Sequence, residues 1–149
     1  MKKLFASLFA LILLSPTLLL AEEEPLPPAE AFPMTANAKD ADTIIAEWTI
    51  ADAYYMYHNK FTFRTDTDGI QLGTPRIPAG KIKKDPYFGD VEILRGKITI
   101  EIPFTRSQPD ISSMNLITRS QGCADMGLCY PPYEQSAQIQ LIKTRKYLL

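Results

Sequence analysis

The clearest signal in the chain is the strict alternation of Lys97-Ile98-Thr99-Ile100-Glu101-Ile102, which sets isoleucines on one face and polar side chains on the other. Period-two patterning of this kind predicts a strand covered on one side. From Ile44 onward the same signal recurs in Ile44–Ile50, Tyr54–Tyr57 and Phe61–Phe63, all rich in β-branched and aromatic residues. Weaker versions run through Ser113–Thr118 and Gln138–Ile142. No stretch of about ten residues beyond position 21 keeps a 3.6-residue apolar period between start and stop caps. Turn signals at Asp68-Gly69, Pro78-Ala79-Gly80, Tyr87-Phe88-Gly89 and Pro131-Pro132 punctuate the strands. The expected fold is all-β, an antiparallel β-sandwich, immunoglobulin-like in class.

The N-terminus reads differently. Lys2 and Lys3 precede an apolar run from Leu4 to Leu20 that closes on Ala21, before Glu22-Glu23-Glu24. Basic start, apolar middle and small-residue end are the three parts of a secretory signal peptide, so residues 1–21 are predicted to be removed on export. A retained anchor is the alternative; Pro16 inside the run and the acidic stretch after it favour cleavage. Beyond residue 21 no stretch has the roughly 20 apolar residues of a membrane span. Residues 22–40, with Pro25, Pro27, Pro28 and Pro33 among acids and alanines, read as an extended, solvated leader, and residues 41–149 as the domain.

Composition excludes more than it selects. Sixteen basic against 17 acidic residues argue against a nucleic-acid binder working through a basic face, and seven glycines without a period exclude collagen-like and solenoid architectures. The motifs of serine hydrolases, zinc proteases and phosphate-binding loops are absent from the sequence.

The candidate chemistry lies in Gly122-Cys123-Ala124-Asp125-Met126-Gly127-Leu128-Cys129-Tyr130, which contains the chain's two cysteines. If the backbone reverses near Met126-Gly127, both cysteines flank the turn and can reach the ~5.5–6 Å Cα separation that a disulfide favours. A structural staple is one reading. A ring of about seven residues yields only about 2–2.5 kcal/mol in the chain-entropy model, so the pair is poorly placed for that purpose. A bridge at a hairpin tip is well placed for attack by another protein's thiolate, because exchange requires access. A third reading joins the two thiols to Met126 or His58 as soft ligands for Cu(I), although the spacing matches no recurrent metal pattern.

The run from Gln121 to Pro132 resembles the redox loop of the periplasmic N-terminal domain of the bacterial thiol:disulfide interchange proteins DsbD. The likeness extends, in order, through Leu26–Phe32, through Trp48–Tyr57 and through Asp85-Pro86-Tyr87-Phe88-Gly89. It implies an immunoglobulin-like domain that carries electrons without a cofactor. The implied donors are a thioredoxin-like domain and the membrane module that recharges it. The implied acceptors are a periplasmic disulfide isomerase and the thioredoxin-like protein of cytochrome c maturation.

By resemblance, Cys129 forms the mixed disulfide with partners and Cys123 resolves it. Tyr87 stands where the family has an aromatic lid over the disulfide, with Phe88 following, and Tyr55 and Tyr57 match tyrosines near the site. Two departures mark the cap: Tyr87 replaces a Phe, and Pro86 replaces an acid beside the retained Asp85. The family's membrane and thioredoxin-like modules lie outside this sequence, which leaves an excerpt of a longer protein and a separate subunit both open.

Overall fold

The computed structural model describes residues 24–143; the predicted signal peptide, residues 1–21, lies outside them. One helical turn, α1 (Pro28–Ala31), precedes the strands β1 (Met34–Ala38), β2 (Thr43–Thr49), β3 (Tyr54–Tyr57), β4 (Thr62–Thr65), β5 (Ile70–Leu72) and β6 (Lys81–Asp85). They are followed by β7 (Gly89–Leu94), β8 (Lys97–Arg106), β9 (Ser113–Ser120), β10 (Gly122–Ala124) and β11 (Tyr133–Gln140). A single 3-10 turn covers His58–Lys60. The strands form three antiparallel groups, β1-β2-β8-β5, β11-β9-β4 and β10-β3-β7-β6.

The main core lies where the first two groups face each other. Ile98, Ile100 and Ile102, the inward set of the alternation, join Ile44, Ala46 and Trp48 of β2 and Met114 and Leu116 of β9. Trp48 is fully buried, its ring meeting Phe61 edge-on at 5.1 Å while its indole N–H donates to Gln135 Oε1 at 3.3 Å. That bond gives the one polar atom of a buried indole its partner.

The expected leader is corrected by the structure. Residues 28–38 belong to the fold: Pro28 starts α1, Ala31 and Phe32 are buried, and β1 pairs with β2 from Met34↔Trp48 to Ala38↔Ile44. Phe32 packs edge-on against Tyr54 and Tyr130, with centroids at 5.9 and 5.5 Å. Prolines here shape a turn rather than a solvated extension, because Pro at the first helical position costs no hydrogen bond. The weak alternation of Met-Thr-Ala-Asn-Ala hid β1.

The third group positions the site. Successive side chains of β3 point to opposite faces, and both are covered: Tyr54 and Met56 enter the main core, while Tyr55 and Tyr57 form a second cluster with Ile93 and Cys123. Gly122 is where the two clusters meet. A Cβ there would stand 2.5 Å from Tyr55 O and 2.6 Å from Phe32 Cζ. Gly122→Ala therefore overpacks a backbone contact and is expected to cost about 1–3 kcal/mol. Thermal unfolding of the oxidised domain should show a midpoint roughly 4–12 °C lower.

Candidate active site

The chain reverses at the predicted place. Gly127 N donates to Ala124 O at 3.0 Å and takes φ +100°, a left-handed conformation that glycine adopts without penalty. Ala124 N to Leu128 O and Tyr130 N to Gly122 O, at 2.7 and 3.0 Å, flank the cysteines and make Cys123↔Cys129 a cross-strand pair of the non-hydrogen-bonded kind. The two form a disulfide with a Cα separation of 4.0 Å, closer than the expected 5.5–6 Å, because directly opposed residues of this kind approach to about 4.5 Å. Cys123 is fully buried and Cys129 only partly, so Cys129 is the more accessible sulfur of the bridge.

Beneath the bridge lies a tyrosine–aspartate network. Tyr57 Oη sits 3.2 Å from Cys123 Sγ and 3.8 Å from Cys129 Sγ, and donates to Asp85 Oδ2 at 2.7 Å. Tyr55 Oη donates to the same oxygen at 3.3 Å, and the other carboxylate oxygen accepts from the backbone N–H groups of Tyr87 and Phe88 at 2.8 and 3.0 Å. Burial pushes the Asp85 carboxyl up, but these hydrogen bonds outweigh it and leave its pKa below the ordinary carboxylate value. Burial, and then the bond to Asp85, push the Tyr57 hydroxyl far above the usual phenol range, and burial raises Tyr55 as well. Tyr57 therefore stays protonated at any working pH and acts as a hydrogen-bond donor.

The β6–β7 hairpin brings Asp85, Tyr87 and Phe88 to this place, although they lie far from the cysteines in sequence. Phe88, about half exposed, sets its ring edge-on to Tyr57 at 5.5 Å, and Lys60 Nζ lies 5.0 Å over it. Tyr87 is 71% exposed and borders a cleft of about 220 Å³ with Tyr55, Lys83, Asp85, Asp125 and Cys129. All seven predicted site residues thus converge on one side of the sheet. In the cap it is Phe88, not Tyr87, whose ring rests on the residue touching both sulfurs.

Two contributors escaped the sequence reading. Arg95, just past β7, forks onto Asp125 inside the cysteine loop at 2.7 and 3.0 Å, bonds Tyr54 O at 2.9 Å and lies 5.2 Å over the Tyr55 ring. Lys83 Nζ approaches the same ring at 5.3 Å. Neither sits in a motif; the pairing of β3 with β7 brings Arg95 there, and the further pairing of β7 with β6 brings Lys83. The copper ligands do not assemble in this form: His58 Nδ1 faces Glu92 at 3.7 Å, Met126 is exposed at the turn, and no cluster of three His, Cys, Asp or Glu able to hold a metal occurs among the described residues.

The family profile described as "Thiol:disulfide interchange protein DsbD, N-terminal" matches residues 22–141. The chain belongs to the DsbD N-terminal family. DsbD 1 of Pseudomonas aeruginosa is 37% identical over 103 residues, covering 69% of this chain and 17% of the relative. DsbD of Neisseria meningitidis is 34% identical over 142 residues, covering 93% of this chain and 23% of the relative. The chain thus spans about a fifth of the length of these curated DsbD proteins. Among solved structures, the reduced N-terminal domain of N. meningitidis DsbD superposes with a TM-score of 0.66 at 33% identity, over 77% of this chain and 89% of that one. The complex of the N. meningitidis DsbD and PilB N-terminal domains gives 0.60 at 30% identity, over 77% and 87%. The fold is that of a DsbD N-terminal domain.

Proposed function

We propose that this domain is a periplasmic protein-disulfide reductase that cycles Cys123 and Cys129 between dithiol and disulfide. The observation that carries the reading is the asymmetry of the bridge, a partly exposed Cys129 joined to a fully buried Cys123 at a hairpin tip. Cys129 thiolate attacks one sulfur of a partner disulfide, forming a mixed disulfide and releasing the partner's other sulfur as thiolate. Cys123 thiolate then attacks Cys129 Sγ, closes the internal bridge and releases the second partner sulfur. Two electrons pass to the partner, and the two thiol protons of the reduced domain balance its two new thiols.

The network serves the buried sulfur. With its proton on Asp85, Tyr57 Oη turns a lone pair toward Cys123, which suits a thiol donating S–H. When Cys123 leaves or attacks as thiolate, rotation of the same hydroxyl supplies a donor in a site that otherwise disfavours the charge. Asp85 then gives up the Tyr57 bond but keeps those from Tyr55 and from the Tyr87 and Phe88 N–H groups, and so anchors the cap. Tyr87 and Phe88 limit stray approach to the bridge, and a cognate partner moves them aside.

The implied electron source is a thioredoxin-like domain recharged by a membrane module, and the implied acceptors are a periplasmic disulfide isomerase and the thioredoxin-like protein of cytochrome c maturation. The relative's complex with the PilB N-terminal domain supports protein docking as the mode of recognition. Export by the cleaved signal sequence provides the compartment. No cofactor enters this chemistry.

The deciding measurement is the equilibrium of the pair against a glutathione or dithiothreitol series, read by thiol alkylation. The expected potential lies between about −120 and −270 mV, the range of exchange catalysts, with the fold intact in both states. A value below about −300 mV, or unfolding on reduction, would make the bridge a staple.

A further inference from the structure

Reduction removes the covalent link across the hairpin, and the remaining bonds hold its two arms unequally. The first arm is anchored to the sheet: Gly122, Cys123 and Ala124 pair with Met56, Tyr55 and Tyr54, and Asp125 N donates to Ala53 O at 2.8 Å. On the second arm, Gly127 and Leu128 make their backbone bonds to Ala124 of the first, and Tyr130, its ring buried against Phe32 and Tyr54, bonds Gly122 O at 3.0 Å. The junction between the arms is Asp125, and its carboxylate is held by the two-pronged Arg95 guanidinium at 2.7 and 3.0 Å. The same guanidinium bonds Tyr54 O at 2.9 Å, so it ties the start of the turn to β3.

We propose that Arg95 is a positioning residue that holds the reduced hairpin closed, keeping Cys123 within reach of the Cys129 mixed disulfide. The proposal rests on the exchange reading above. In the oxidised domain the S–S bond fixes the ring with or without Arg95. In the reduced domain Arg95 still pins the turn that joins the arms to β3, so its loss loosens the turn between the backbone bonds at Gly122 and Ala124 and lowers the effective concentration of one thiol for the other. Arg is required for its planar fork: a lysine keeps the charge but cannot engage both carboxylate oxygens and a carbonyl together.

Both partners of the pair are 42% exposed, so solvent screening keeps the effect moderate. Arg95→Lys is expected to lower the equilibrium constant for disulfide closure by about threefold to tenfold, which at 29.6 mV per tenfold raises the potential by about 14–30 mV. Asp125→Asn should shift it in the same direction, and the double variant no further than either single one. With glutathione as the probe, the mixed disulfide on Cys129 should persist longer by the same factor. A merely structural Arg95 would destabilise oxidised and reduced forms equally, leaving potential and mixed-disulfide lifetime unchanged, and that result overturns the proposal. Additive shifts in the double variant would also count against it. A wild-type potential below about −300 mV would sink the exchange reading while leaving the Arg95 shift measurable.

Discussion

Cys123→Ser should convert the domain from a reductase into a trap. Cys129 remains at the surface and still attacks a partner disulfide, but the sulfur that would attack Cys129 Sγ in turn is gone, so the mixed disulfide accumulates. Cys129→Ser should show no such adduct, because the remaining thiol is fully buried beneath Tyr57. Exposure to glutathione disulfide followed by intact-mass measurement separates the two. The expected result is near-complete adduct on Cys123→Ser and almost none on Cys129→Ser. Turnover should fall at least about a thousandfold in both, since loss of a nucleophile that acts as part of a unit removes most of the catalysis. Equal adduct on both variants would contradict the assignment of Cys129 as the attacked sulfur.

The paired substitution separates chemistry from folding. A seven-residue ring contributes about 2–2.5 kcal/mol through the unfolded state, an amount that a domain with a full sandwich core can lose and still fold. At position 123 the new hydroxyl has Tyr57 Oη within hydrogen-bond reach, so it is not left buried without a partner. Unfolding of Cys123→Ser/Cys129→Ser would mean that the bridge is a staple after all.

How much of this was legible beforehand depends on how far apart in sequence the cooperating residues lie. The alternation of β8, the β-branched run of β2 and the aromatic run of β3 announce themselves because each carries its signal within one strand. The cysteine hairpin is equally local: its spacing and Gly127 suffice to predict the reversal. β1 was missed because small and polar residues fill it, and its pairing with β2 supplies the order that its own pattern does not. Arg95 and Lys83 are silent in the sequence for a different reason. Their roles exist only after β7 pairs with β3 and β6 with β7, a register set by tertiary packing. Asp85, Tyr87 and Phe88 came from family resemblance, which carries long-range information that periodicity cannot. Even so, the resemblance gave no sign that Phe88 would be the ring on Tyr57.

Tyr57→Phe and Asp85→Asn should move the pH dependence of exchange in opposite directions. Tyr57 supplies the nearest donor to Cys123 Sγ, so its loss leaves a buried thiolate less well solvated and raises the thiol's pKa. The pH–rate profile for the second step should shift upward by about one unit, with a rate near neutral pH lower by roughly tenfold to a hundredfold. Asp85→Asn removes the negative charge behind Tyr57 and frees the phenolic proton for the sulfur, so the profile should shift downward. Single-turnover reduction of a glutathione mixed disulfide, followed from pH 5 to 10, reads both shifts. Shifts of the same sign would show that the pair acts only by shaping the pocket. Stability gives an independent reading of Asp85. Its pKa is depressed in the folded protein, so its contribution is complete above the unfolded carboxylate value of about 3.9 and is lost as pH falls through the lower folded value. The wild type should therefore be more stable than Asp85→Asn at neutral pH, with the difference closing in strong acid as the bonds to Tyr57, Tyr87 and Phe88 lose their ionised acceptor.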